Sequence, residues 1–159
     1  MKKRFFVFIN LISIFIFRLA SFEPSNFNGG WLDETCYKRL KNGDEFFVDQ
    51  MRTINIDGIE YWYCLSGTLI DLSSSNPRFC LTYFNDFDVL EIEKISDTTF
   101  DLELRNRNDN KMTGKIKLTM ISSEVFYFEI IAGSDSFIKE IDFFTINKNC
   151  SFRKLEKRK

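Results

Sequence analysis

The chain has 159 residues, 44% of them hydrophobic and 28% charged, with two prolines, no histidine and a formal net charge of −1. That balance describes one folded domain, neither disordered nor basic enough to bind nucleic acid. Without histidine, a Ser-His-Asp or Cys-His catalytic device, a histidine metal site and a histidine proton shuttle are all excluded from the chain's own residues.

Lys2, Lys3 and Arg4 precede an almost purely apolar run from Phe5 to Phe17, followed by Arg18, Ala20 and Ser21. This order reads as a secretory signal peptide over residues 1–21. About 13 apolar residues rise only about 20 Å as a helix, short of the roughly 30 Å hydrocarbon core, so no integral membrane segment is expected after cleavage. The expected location is secreted, periplasmic or otherwise extracellular. Cleavage removes four of the 22 positive charges and none of the 23 negative ones, leaving a net of −5. The mature domain is expected over residues 22–150, with a basic, solvated tail over 151–159 that holds Arg153, Lys154, Lys157, Arg158 and Lys159.

In chain order, Gly29-Gly30-Trp31 comes first. Asp33 is a plausible N-cap for one short helix ending at Asn42 before Gly43, with Cys36, Tyr37 and Leu40 on one side. From Glu45 onward the helical period gives way to short strands with turn residues between them. Phe46 to Ile56 ends at the hairpin signal Asp57-Gly58, and Ile59 to Ser66 follows it. Gly67 suggests a bulge before Thr68 to Leu72, and the loop Ser73 to Arg78 precedes Phe79 to Phe84 and Phe87 to Lys94. The clearest alternation sets Phe100, Leu102 and Leu104 against Asp101, Glu103 and Arg105, then Ile116, Leu118 and Met120 against Lys115, Lys117 and Thr119. Val125 to Ile131 and Phe137 to Ile146 complete the series. About eight antiparallel strands with one leading helix predict an all-β, up-and-down barrel, with a β-sandwich as the alternative. Closure would remove two exposed edges that two prolines do little to blunt.

Four cysteines in an exported chain argue for two structural disulfides, and three pairings exist. Cys64 with Cys80 suits facing consecutive strands, and Cys36 with Cys150 would tie the first element to the last. No zinc spacing occurs, and neither a metal nor another cofactor is implied. Asn149-Cys150-Ser151 satisfies the glycosylation tripeptide. Glu91 and Glu93 share a strand face about 6.5–7 Å apart, a separation that glycosidases use. With Leu90 and Ile92 on the opposite, buried face, they read as solvated exterior, and no catalytic motif is found. The chain is expected not to be an enzyme. Aromatic rings are the compositional excess, densest at Tyr61-Trp62-Tyr63 and Phe126-Tyr127-Phe128. They read as core or as the lining of a ligand pocket.

Phe27-Asn28-Gly29-Gly30-Trp31 resembles the Phe-x-Gly-x-Trp opening of lipocalins and fatty-acid-binding proteins, the calycin group. The likeness extends to small exported bacterial proteins called lipocalin-like. It implies that Trp31 closes the narrow end of a barrel and that Arg153 packs across its indole. A C-terminal cysteine bridging back to the barrel is also a lipocalin habit. Lipocalins carry a helix after the barrel, for which no segment is predicted. The implied function is a binding protein for a small hydrophobic molecule, with Tyr61, Tyr63, Phe126 and Phe128 lining the lumen. The alternative is a β-domain with a packed core that meets a protein partner through its surface.

Overall fold

The structure, a computed structural model, describes residues 21–81, 85–144 and 151–156, and for 142–144 the backbone only. Residues 1–20 of the expected leader, the Asn149-Cys150 pair and the last three residues lie outside the described residues, so the Cys36–Cys150 pairing does too.

A 3-10 turn at Pro24–Phe27 leads into β1 (Gly29–Asp33) and then α1 (Glu34–Lys41). Asp33 caps α1 as the sequence predicts, accepting hydrogen bonds from the backbone N–H groups of Thr35 and Cys36 at 2.9 and 3.0 Å. The chain continues through α2 (Glu45–Asp49), β2 (Met51–Ile56), β3 (Ile59–Cys64), β4 (Thr68–Asp71), β5 (Arg78–Leu81) and β6 (Asn85–Lys94). It ends with β7 (Thr99–Asn106), β8 (Thr113–Ser122), β9 (Val125–Gly133), α3 (Asp135–Phe144) and β10 (Ser151–Lys154). Eight strands close in the order β1-β10-β9-β8-β7-β6-β5-β4, every pairing antiparallel. The protein is therefore an all-β closed barrel. No helix among the described residues is long and apolar enough to cross a membrane.

Five expectations are corrected. Residues 45–49, read as the start of a strand, form α2 because Asp44 caps them through the Phe46 N–H, and Arg39 pairs with that carboxylate at 2.7 Å. Residues 137–144 of the expected closing strand Phe137 to Ile146 lie in helix α3. Phe137 and Ile141, one helical turn apart, are both fully buried. The closing strand is instead β10, drawn from the segment expected to be a tail, and it seals the seam by pairing with β1 and β9. Gly67 lies in a turn rather than a bulge, its N–H bonding the Cys64 carbonyl at 2.9 Å. Leu90 follows Asp86 and Asp88 on the outer face and is 47% exposed rather than buried, and a register shift between Val89 and Glu91 puts Glu91 outside as well, so that Ile92 pairs with Leu102 on the inner face.

The lumen is packed with rings. Trp31 meets Phe126 edge-on at 4.7 Å between centroids, and Phe27 meets Phe100 and Phe126 at 5.6 and 5.7 Å. Phe152 stacks on Phe126 and Phe128 at 5.2 and 5.4 Å, and Phe79 closes on Phe128 at 5.9 Å. At the far end of β9, Phe137 of α3 seats over Gly114 and Gly133 and contacts Phe87 at 5.5 Å.

Hairpin β2–β3 takes no part in the barrel. Asp57 and Gly58, with φ of 51° and 84°, make the two-residue turn that a tight hairpin needs. The hairpin lies across the outer face of β1, and Gly30 makes this approach possible. A Cβ there would stand 2.4 Å from the Trp62 carbonyl oxygen and 2.3 Å from the Tyr63 Cα. With α1 and α2 it encloses a second small core of Leu32, Leu40, Phe47, Cys64 and Leu155.

Candidate functional site

Because the hairpin lies across the outer face of β1 and β4 pairs along one edge of that strand, a cleft forms where the hairpin overhangs the outer barrel wall. Its volume is about 210 Å³. Ile54 and Tyr63 contribute from the hairpin, Leu65 and Gly67 from the turn after it, and Leu69, Arg78, Cys80 and Asp86 from the wall. The pleat explains the wall. Leu69, Cys80 and Asp86 are register partners in turn across β4, β5 and β6, so their side chains share the outer face while Ile70, Phe79 and Phe87 fill the lumen.

Beside the cleft the same register lays out a charged lattice. Arg78, Asp88 and Arg105 form one cross-strand row, and Cys80 and Asp86 another, with Arg107 reaching back onto it. Arg107 donates to Asp88 at 2.7 Å and to Asp86 at 3.2 Å, and Arg105 approaches Asp88 at 3.6 Å. The Arg107 hydrogen bond holds the Asp88 carboxyl below the usual carboxylate range. The thiol of Cys80 donates to the other oxygen of Asp86 at 3.0 Å, and burial together with that carboxylate pushes its pKa well up. Arg78 is different. Asp71 and Asp88 flank it as register partners, but its one ion pair among the described residues is with Asp86, at 3.8 Å, and its guanidinium donates no hydrogen bond to any of them.

The residues expected to line a lumenal pocket are separated. Phe126 and Phe128 are in the lumen, held by the ring contacts above, whereas Tyr61 and Tyr63 lie outside the barrel against Gly29 and Gly30. Of the four, only Tyr63 reaches the cleft. Trp31 is fully buried, its indole N–H donating to the Phe27 carbonyl at 2.7 Å, but the cation over its ring is Lys154 at 5.2 Å. Arg153 points to the opposite face of β10, where it donates to Glu34 at 2.6 Å and lowers that carboxyl's pKa. Cys64 and Cys80, although both border the cleft, carry free thiols, as does Cys36. The expected Cys64–Cys80 bridge fails because β3 lies in the hairpin and is not the strand beside β5, so the two side chains are not cross-strand neighbours. Glu91 and Glu93 are on the outer face, with Glu93 paired to Lys115 at 3.4 Å.

Sequence reasoning did not find Arg78, Leu69 or Ile54. Arg78 reads as the end of a Ser-rich loop, and the alternation of Asp86 and Asp88 against Arg105 and Arg107 acquires meaning only once the strand register is known.

Fold and site thus define a closed eight-stranded antiparallel barrel with an external hairpin and a cleft beneath it. No protein-family profile and no curated protein matches the sequence. Among solved structures the chain is similar to Treponema pallidum Tp0751, pallilysin, at 9% identity and a TM-score of 0.48, with 84% of each chain covered.

Proposed function

We propose that the chain is an exported, lipocalin-like binding module whose small ligand sits in the cleft between the β2–β3 hairpin and the barrel wall. One observation carries this reading. Apolar walls from Ile54, Leu65 and Leu69 meet a convergent polar set of Arg78, Cys80 and Asp86 in a single concavity of about 210 Å³. The lumenal seat first expected from the sequence has less support, since Phe126 and Phe128 are in ring contact with Trp31, Phe79 and Phe152. Export is supported by the order of charge, apolar run and small residues in the leader. A catalytic role gains nothing from Glu91 and Glu93, which face solvent.

The test is a titration of the isotopically labelled protein with a fluorescent fatty acid and with small aromatic fragments, read through backbone amide shifts. With the aromatic fragments, saturable shifts at Gly67 and Leu69, lost when Ile54→Trp fills the cleft, are expected, whereas the fatty acid probes the lumen. Shifts centred on Phe126 and Phe128 would return the seat to the lumen. Saturation at neither place would overturn ligand binding in favour of a surface that meets a protein partner.

A further inference from the structure

We infer that Arg78 is the anion anchor of this cleft, and that the ligand is a small monocarboxylate with a single ring or short branched body. This inference rests on the cleft being the ligand seat and deepens it.

Three arginines, Arg78, Arg105 and Arg107, stand among three carboxylates, Asp86, Asp88 and Asp71, the last the β4 register partner of Arg78, so the charges balance in number but the hydrogen bonds are shared unevenly. The shortfall in bonding falls on Arg78. Both oxygens of Asp86 are already engaged, Oδ1 by the Cys80 thiol at 3.0 Å and Oδ2 by Arg107 at 3.2 Å. Asp88 is likewise taken, by Arg107 at 2.7 Å and Arg105 at 3.6 Å. Arg78 is left with the long 3.8 Å approach to Asp86 and no hydrogen bond among the described residues, while its side chain is only 29% exposed. A guanidinium carries five N–H donors in a planar fork that matches a carboxylate through two parallel bonds. Burial to this degree denies it much of its water, so an incoming carboxylate meets donors that are charged and unspent.

Size sets the rest of the ligand. A dry cavity of about 150 Å³ accommodates benzene. The larger cleft, about 210 Å³, therefore takes one ring or a branched chain of similar bulk together with its carboxylate. Ile54 and Leu69 supply the apolar walls from opposite sides, and the Tyr63 ring offers a face for edge or stacked contact. A long acyl chain exceeds this space.

The probes are benzoate and its neutral counterpart benzyl alcohol, titrated into the labelled full chain with the Gly67 amide as reporter. Benzoate is expected to shift it saturably, benzyl alcohol to bind roughly tenfold or more weakly, and Arg78→Gln to abolish that difference. Arg78→Lys, which keeps the charge without the fork, is expected to recover part of it. The amide spectrum itself reports that each variant is folded. If both probes bind equally and Arg78→Gln changes neither, the carboxylate inference falls while the cleft reading survives. If no probe of any chemistry, the aromatic fragments included, moves Gly67 in the folded protein, the cleft reading falls and takes this inference with it.

Discussion

Lys154 stands over the indole of Trp31, its Nζ 5.2 Å from the ring centroid, because the two residues are register partners across the β1–β10 seam. Partners across an antiparallel pair point to the same face, so the cation that covers the buried tryptophan must come from position 154, and the preceding Arg153 must point away. The Lys154 ammonium also donates to the Asn26 carbonyl at 3.0 Å, and burial lowers its pKa. One turn of sequence, 3-10 helix, first strand and last strand are thereby joined at one end of the barrel.

Trp31→Ala should cost about 3–5 kcal/mol in urea unfolding, the scale for truncating a fully buried large aromatic. Arg153→Gln should leave the unfolding midpoint close to that of the unaltered protein, since its ion pair with Glu34 is on the wet face. Equal effects of the two changes would contradict the register.

Gly30→Ala tests the seating of the hairpin. The added methyl would collide with the Trp62 and Tyr63 backbone, which cannot rotate aside as a side chain would. A loss of about 1–3 kcal/mol is expected, with a red shift of tryptophan emission as Trp62 gains water. The same substitution at Gly58, which has open space around it but a φ of 84°, should leave the emission unchanged and cost stability through the turn alone.

At the opposite end of the barrel, a Cβ on Gly114 would lie 2.2 Å from the Phe137 ring. Phe137→Ala should cost about 3–5 kcal/mol through the void it leaves. Gly114→Ala should also destabilise, and Phe137→Leu should partly rescue it, so that the double change costs less than the sum of the single ones. Strict additivity, measured by denaturant titration of all three variants, would show that α3 does not seat as described.

The thiols set an alkaline limit. Burial first, then the Asp86 hydrogen bond, raises the pKa of Cys80, and burial with Asp33 pushes Cys36 up to about 12. An unfolded thiol ionises near 8.5, so above that pH the unfolded chain releases protons that the folded one retains, and stability falls as pH rises. The slope from Cys80 is at most about 1.4 kcal/mol per pH unit, and that from the more solvent-screened Cys36 is smaller. Lys154, with its lowered pKa, acts in the opposite sense, so the diagnostic quantity is the difference from Cys80→Ala. That variant should lose stability less steeply between pH 8.5 and 11. An unchanged slope would count against the Cys80–Asp86 bond.

Much of the barrel was legible because its signal is local. Phe100, Leu102 and Leu104 alternate with charged neighbours whatever lies beyond them, and β7 and β8 appear where that alternation placed them. The capping of α1 by Asp33 was equally local. Segment 137–144 was misread because Phe, Ile and Phe in quick succession suit either period. The spacing of Phe137 and Ile141 was the helical clue, reinforced by the Ser134 hydroxyl that accepts from the Phe137 N–H at 3.3 Å.

By itself the amino-acid order determined that antiparallel strands form over most of the chain and where their turns fall, since hydrophobic alternation and turn chemistry act over a few residues. Tertiary structure alone decided which strands close the barrel, that the Tyr61-Trp62-Tyr63 hairpin stays outside, that Lys154 rather than Arg153 meets Trp31, and that Arg78 is left without a full partner. Each of these depends on register between distant segments, and a shift of one residue there turns every side chain to the other face.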